Sequence, residues 1–135
     1  MLVVRLDADL PVYRAWNGPG VVDAGGHTNR IGSCWAVTLP HGSTQSYRGA
    51  YALCRNWNEL KWIARRTLRK GAVVAVGPGQ SVSGKTCGDA DEAYAASADW
   101  QVFVDQPWAR PAELDCTSTA GDYAADPAEL SRPAP

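Results

Sequence analysis

The most specific chemical pattern in this sequence lies at 79–86, where Gly-Gln-Ser-Val-Ser-Gly-Lys-Thr matches the phosphate-binding loop G-x-x-x-x-G-K-[ST] at every position. In that motif, backbone N–H groups surround the phosphates of a nucleotide. The lysine, here Lys85, contacts the outer phosphate oxygens, and the hydroxyl of Thr86 binds Mg²⁺. The pattern therefore makes nucleotide binding one candidate function.

The sequence around 79–86 disfavours that interpretation. A phosphate-binding loop opens a helix whose N-terminus faces the phosphates, whereas Cys87-Gly88-Asp89 is typical of a turn. A doubly wound nucleotide fold also needs several further βα units, and only 49 residues follow Thr86. We therefore expect a Gly/Ser loop that carries a lysine by chance and keep phosphate binding as a second alternative.

Cysteines and histidines are the candidate metal ligands, and their spacing predicts no metal site. No C-x-x-C pair occurs, and the histidines are not spaced to complete a zinc site. We expect free cysteines, as in a reducing compartment, with Cys54 in the core. The residues concerned are Cys34, Cys54, Cys87, Cys116, His27 and His41.

The elements that must position any site are organised around 46–79. Apolar residues recur at spacings of three and four from Leu53 to Leu68, which predicts one long amphipathic helix with one face in a core. Basic residues crowd the end of this pattern, and Gly71 would stop the helix. The run Ala-Val-Val-Ala-Val at 72–76 predicts a buried strand.

Alternating and β-branched runs elsewhere predict further strands, and Ser43 or Thr44 is a suitable helix N-cap. A short helix is expected over 89–98, and 17–30 is expected to be a long Gly-rich loop. One long helix among about five strands indicates an α+β fold with two small packed β-sheets and one dominant helix. The additional predicted strands cover 2–6, 12–16, 31–39 and 100–104.

Composition sets the limits of the domain. The chain has 135 residues, enough for one core, and we assign 1–108 to a single α+β domain. Residues 109–135 are rich in Ala, Pro and Asp, so we expect a loosely packed or disordered tail with one helical turn near 126–130. A net charge of −1 makes nucleic acid an unlikely partner. Without a long apolar run or a signal-peptide pattern, we expect a soluble, cytoplasmic protein.

Two short motifs carry a family resemblance: Val-Tyr-Arg-Ala-Trp at 12–16 and Gly-Ser-Cys-Trp-Ala-Val-Thr at 32–38. A helix, a buried strand and the strand at 99–104 follow them. In this order the chain resembles the catalytic domain of small bacterial and phage mono-ADP-ribosyltransferases, an NAD-using, toxin-like family. That family has Y-R on a strand, then G-x-S-W-T, a helix, a buried strand and a strand entered through a glutamate. The resemblance covers roughly 10–108.

The resemblance implies a set of NAD-binding residues. Arg14, beside Tyr13, would bind the pyrophosphate or ribose through its planar donor fork. Ser33 and Trp35 would hold the nicotinamide ribose, with Thr38 in reserve. No metal is implied.

The sequence departs from the family at the catalytic position. The glutamate at the head of the last strand corresponds to Gln101, whose neutral amide can bond a ribose hydroxyl but cannot offset a cationic transition state. Asp99 or Glu92 would supply that charge from nearby. The serine and threonine of S-W-T are Cys34 and Ala36.

The resemblance implies a glycosyltransferase that cleaves the nicotinamide glycosidic bond of NAD and passes ADP-ribose to a macromolecular acceptor. The first alternative is a non-catalytic module on the same scaffold that binds a protein partner such as a host factor. The departure at Gln101 leaves the choice between these two open.

Overall fold

The computed structural model describes residues 2–78, 87–89, 91–95, 99–114 and 121–135, which form a mostly β fold with one α-helix. The phosphate-loop match at 79–86, part of the helix expected over 89–98 and Cys116 lie outside these residues. The helix is α1 (Thr44–Tyr51), and a short 3-10 helix covers Pro107–Ala109. The strands are β1 (Leu2–Arg5), β2 (Leu10–Trp16), β3 (Cys34–Ala36), β4 (Trp62–Leu68), β5 (Val73–Pro78), β6 (Trp100–Phe103), β7 (Tyr123–Asp126) and β8 (Glu129–Pro133).

The strands form one antiparallel sheet in the order β1-β5-β6-β3-β2-β4-β7-β8. A helix beside a sheet agrees with the expected α+β class in outline, but the described residues form one eight-stranded sheet and an eight-residue helix in place of two small sheets and a dominant helix. The strands expected near 2–6, 12–16, 72–76 and 100–104 are confirmed, whereas the strand expected over 31–39 is shortened to Cys34–Ala36.

A shared bend folds this sheet over on itself. β1 pairs with β5 and β2 pairs with β4, so 6–9 and 69–72 turn together between the two pairs. Leu6 N donates to Ala72 O at 2.9 Å, and Gly71 N donates to Leu6 O at 2.8 Å. Side chains of β5 and β6 consequently meet those of β2 and β4 in a principal core, which includes Val12, Trp16, Trp35, Ala64, Leu68, Val74, Val102, Val104 and Leu114.

The long helix predicted between 46 and 71 is wrong. α1 ends at Tyr51 because Ala52 takes a left-handed backbone (φ 54°), and the chain from Trp62 to Leu68 is a strand. In that strand Ala64 and Leu68 enter the principal core while Ile63 enters a second one. Apolar residues needed on both faces of a strand had produced spacings of three and four that imitate a helix. The N-cap expectation is confirmed at Ser43, whose Oγ accepts from Ser46 N at 3.1 Å.

The expected disorder of the C-terminal region is wrong for 121–135. β7 pairs with β4, with Ala124 opposite Trp62, and β8 pairs with β7. A hairpin turn replaces the expected helical turn, and Asp126 Oδ1 accepts from Ala128 N at 2.9 Å within it. Leu130 is completely buried in the second core with residues of α1, β2 and β4. The sequence did not predict this hairpin, because a single buried leucine gives no recognisable strand periodicity.

The expectation of free cysteines is wrong for two of them. Cys54 and Cys87 form a disulfide between residues 33 positions apart, and Cys34 is a free thiol. Closing a loop of that length stabilises the fold by about 3–4 kcal/mol. Disulfides persist mainly in oxidising compartments. None of the helices among the described residues combines the length and apolar character needed to cross a membrane.

Leu130→Ala is expected to lower the free energy of unfolding by about 2–5 kcal/mol, because it removes a fully buried side chain and leaves a cavity. Leu2→Ala is the control: Leu2 is 61% exposed, and its truncation should change stability by no more than about 0.5 kcal/mol. Urea unfolding measures both variants. Equal effects would mean that the C-terminal hairpin does not pack on the core.

Acid is expected to weaken the shared bend. Asp9 Oδ1 accepts from Lys70 N at 2.8 Å, and this bond, reinforced by Arg69, lowers the pKa of the Asp9 carboxyl. A carboxyl with a lowered pKa in the folded state stabilises the fold above its unfolded pKa of about 3.9, and that contribution is lost as the pH falls through the folded pKa. Asp9→Asn should therefore flatten the pH dependence of unfolding below about pH 4. An unchanged dependence in urea titrations would contradict this.

Candidate functional site

A cavity of about 500 Å³ lies between α1, one face of the sheet and the residues that join α1 to β4. Its floor is a row of side chains set by strand register: Tyr13 of β2 is opposite Ala36 of β3, which is opposite Gln101 of β6. Because side chains opposite each other in a sheet share a face, these three point the same way. The floor is therefore built from three strands that are distant in sequence.

Tyrosines of α1 form one side of the cavity. Tyr47 and Tyr51 are four residues apart and face the same way, with ring centroids 4.5 Å apart. Burial raises the pKa of both hydroxyls, most strongly that of Tyr47, so the two rings are neutral at ordinary pH. Gln101 Nε2 donates to Tyr51 O at 3.3 Å and ties this helix to the floor.

The 52–61 connection, which joins α1 to β4, also lines the cavity. Leu53, Trp57 and Asn58 line the cavity from this connection, and Trp57 is 46% exposed. The buried guanidinium of Arg48 donates to Cys54 O at 3.2 Å and to Asn58 O at 2.7 Å. Asn58 Nδ2 in turn donates to Ala15 O at 2.6 Å. These bonds hold an irregular segment in place where no strand or helix does so.

Arg14 brings the cavity its charge. β2 and β3 are paired only at Tyr13 and Ala36, and the Arg14 guanidinium bridges the strands beyond that pair. Its Nη1 donates to Cys34 O at 3.1 Å and its Nε donates to Asn29 O at 3.1 Å. Burial lowers the pKa of Arg14, but a guanidinium stays cationic in a protein. Of the described residues that line the cavity, Arg14 alone is charged, so the charge of the lining is positive.

Gly32 lies directly against the Arg14 guanidinium. A Cβ at this position would come within 2.4 Å of Arg14 Cζ and Nη2, closer than two such atoms can approach. Trp35 Nε1 donates to Gly32 O at 2.8 Å and fixes the backbone there. The absence of a side chain at Gly32 therefore sets where the charge of Arg14 lies.

Of the residues predicted from the sequence, five line the cavity: Tyr13, Arg14, Ser33, Trp35 and Gln101. Trp35 exposes almost no surface to the cavity, because it is 1% exposed and belongs to the principal core. The other aromatic residues that line the cavity, besides Tyr13, are Tyr47 of the second core, the half-buried Tyr51 and the exposed Trp57. The sequence did not assign these three to an NAD site, because Tyr51 and Trp57 fell on the stripe of the predicted long helix and Trp57 was considered only as an anchor for a protein partner. The Tyr-x-x-x-Tyr spacing of Tyr47 and Tyr51 was the available signal.

The other three predicted residues do not line the cavity. Thr38 is exposed. Glu92 is 4% exposed and accepts hydrogen bonds from Arg55 N at 2.9 Å and from Tyr94 Oη at 2.7 Å. Asp99 is exposed but lies near enough to the α1 tyrosines to contribute to the raised pKa of Tyr51. Of the acidic candidates, only Asp99 is thus close to the cavity.

Cys34 occupies the position where the resembled family has serine. Burial raises the pKa of its thiol and Arg14 opposes that rise, so the group is a thiol and not a thiolate at neutral pH. Within the described part of the chain, no three His, Cys, Asp or Glu side chains form a group that could hold a metal ion. Comparison with protein-family models, curated proteins and solved structures found no match to this chain.

Gly32→Ala is expected to displace the Arg14 guanidinium with little effect on stability. The new methyl group would meet the end of a flexible side chain, which can move aside, so the free energy of unfolding should change by about 1 kcal/mol or less. The NMR signal of Arg14 Nε–H, now bonded to Asn29 O, should shift and exchange faster with solvent. Gly20→Ala is the control, since no atom lies within 4 Å of its Cβ position. An unshifted Arg14 signal would contradict the proposed close contact.

Proposed function

We propose that this cavity binds NAD and that the chain is a mono-ADP-ribosyltransferase-like protein. The observation that carries the proposal is the convergence of Tyr13, Arg14, Ser33 and Gln101 on one cavity. The sequence resemblance singled out these residues without any knowledge of the fold. Tyr13 and Arg14 lie on β2, Ser33 directly precedes β3 and Gln101 lies on β6, so sheet register brings three separate segments together.

The chemistry of the lining supports a nucleotide with flat rings. A single cation, Arg14, suits a pyrophosphate, which an arginine fork can bind through two N–H groups. The neutral rings of Tyr47, Tyr51 and Trp57 suit the planar faces of nicotinamide or adenine. A volume of about 500 Å³ is within the usual range for a small-molecule site.

In the proposed reaction, the bond between the nicotinamide nitrogen and ribose C1 breaks, and nicotinamide leaves with the bonding electrons as a neutral molecule. A nucleophile of the macromolecular acceptor bonds to C1 and releases its proton to solvent. The ribose passes through a cationic state that a nearby carboxylate would stabilise. Gln101 can hold a ribose hydroxyl with its amide, and Asp99 is the closest acidic candidate from the sequence.

A second candidate is a module that binds NAD or a protein partner without catalysis. One observation favours it: no carboxylate is found among the described residues that line the cavity, and Gln101 stands where the family has glutamate. The phosphate-loop alternative concerns residues outside the described part. Loss of Mg-ATP binding on Lys85→Ala would support it, whereas NAD binding at the cavity should not respond to that change.

Arg14→Ala is expected to weaken NAD binding about 10- to 100-fold, because a hydrogen bond to a charged group contributes about 1.5–3 kcal/mol. Isothermal titration calorimetry measures the affinity of both proteins. Tight NAD binding that survives Arg14→Ala unchanged would rule out this cavity as the NAD site.

The substitution Gln101→Glu distinguishes the enzyme hypothesis from the hypothesis of a non-catalytic module. Restoring a carboxylate beside the ribose should raise the rate of nicotinamide release about 100-fold, the size of effect seen for one preorganised electrostatic group. Gln106→Glu makes the same charge change at an exposed residue outside the cavity lining and should have no effect. If the wild type binds NAD but neither it nor Gln101→Glu releases nicotinamide, the non-catalytic module is the better account.

A further inference from the structure

The Cys54–Cys87 disulfide joins the 52–61 connection to the 87–95 segment, of which residues 87–89 and 91–95 are described. We propose that this disulfide is a redox-dependent clamp on the cavity. In the oxidised protein it holds the 52–61 connection in the ligand-binding position, and its reduction releases that side of the cavity. The effect on ligand affinity rests on the function proposed above, whereas the effect on the connection does not.

The polar contacts around the disulfide define a joint between the two segments. Arg55, next to Cys54, donates its backbone N–H to Glu92 Oε2 at 2.9 Å and its Nη2 to Asp89 Oδ2 at 2.6 Å. The Arg55 and Asp89 side chains are 56% and 47% exposed, so their ion pair adds little to stability. The covalent bond is therefore the strongest tie across this joint.

The clamped segment is irregular, and the side chains of Arg48 and Asn58 hold it together with the disulfide. Between the end of α1 and the start of β4 the chain forms neither helix nor strand over 52–61. Leu53, Trp57 and Asn58 of this connection line the cavity, and the first of them is next to Cys54. A local opening at Cys54 is thus transmitted directly to the lining, because irregular segments with few backbone bonds open more readily than paired strands.

Neither cysteine of the disulfide belongs to the principal or the second core, although Leu60 of the 52–61 connection is a member of the second core. Cys54 and Cys87 are buried, at 0% and 2% exposure. Reduction transfers two electrons and two protons from a dithiol to the disulfide, which yields two thiols and converts the dithiol to its own disulfide. The fold should persist in that state while the 52–61 connection loosens. The cavity would then be fully formed only under oxidising conditions, in which the disulfide is intact.

The test compares the wild-type protein with and without dithiothreitol. Hydrogen exchange followed by mass spectrometry should become tenfold or more faster in 52–61 on reduction, while β2 and β4 remain protected from exchange. NAD affinity from calorimetry should fall tenfold or more. The Cys54→Ser/Cys87→Ser variant should match the reduced wild type and show no response to dithiothreitol, whereas Cys34→Ser should keep the exchange response.

Three results would overturn the clamp. Exchange in 52–61 that is the same in both redox states shows that the bond does not hold the connection. Unfolding of β2 and β4 on reduction shows that the disulfide stabilises the whole fold and not this connection in particular. Alkylation of Cys54 and Cys87 in the air-oxidised protein shows that the bond is absent. Faster exchange in 52–61 without NAD binding in either state refutes NAD as the ligand and leaves the clamp in place.

Discussion

The pairing of β2 with β4 is the interaction on which the rest of the structure depends. It runs without interruption for seven residues, from Leu10 opposite Leu68 to Trp16 opposite Trp62. Because side chains alternate along a strand, this one pairing sends residues to both faces of the sheet. One face closes the principal core, and the other forms the second core and the cavity floor, so the cavity is built on the most continuous pairing of the fold.

The position of Arg14 gives the cavity its chemical character. The side chain leaves β2 on the same face as Val12 and Trp16, and its guanidinium reaches the gap where β2 and β3 are no longer paired. Burying a cation costs free energy unless hydrogen bonds compensate. Here the carbonyls of Asn29 and Cys34 provide those bonds without neutralising the charge. Arg14 thus remains cationic while backbone carbonyls hold its guanidinium.

The two sides of the cavity differ in how they are held. The floor rests on paired strands, whereas the 52–61 connection is held by Arg48, by Asn58 and by the disulfide at Cys54. Local opening in proteins begins where backbone bonds are fewest. Changes in cavity shape are therefore expected on the side of this connection, while the register of Tyr13 and Gln101 stays constant.

The sequence by itself determined the features that depend on residues close to one another along the chain. The strands near 2–6, 12–16, 72–76 and 100–104 follow from runs of β-branched and alternating residues, and the Ser43 N-cap follows from its side-chain chemistry. The sequence also singled out Tyr13, Arg14, Ser33 and Gln101, through a resemblance in short motifs. Their convergence required the register of β2, β3 and β6, which no local pattern encodes.

Tertiary structure alone decided the rest. Residues 62–68 satisfy both a helical and a strand period, and pairing along the whole of β2 selects the strand. The C-terminal hairpin is stable because β7 pairs with β4 and Leu130 fills the second core, although its own sequence is poor in large apolar residues. Cys54 and Cys87 meet across 33 residues. Each of these outcomes depends on contacts between segments that are distant in sequence. Those contacts contribute favourable free energy only once the chain has folded.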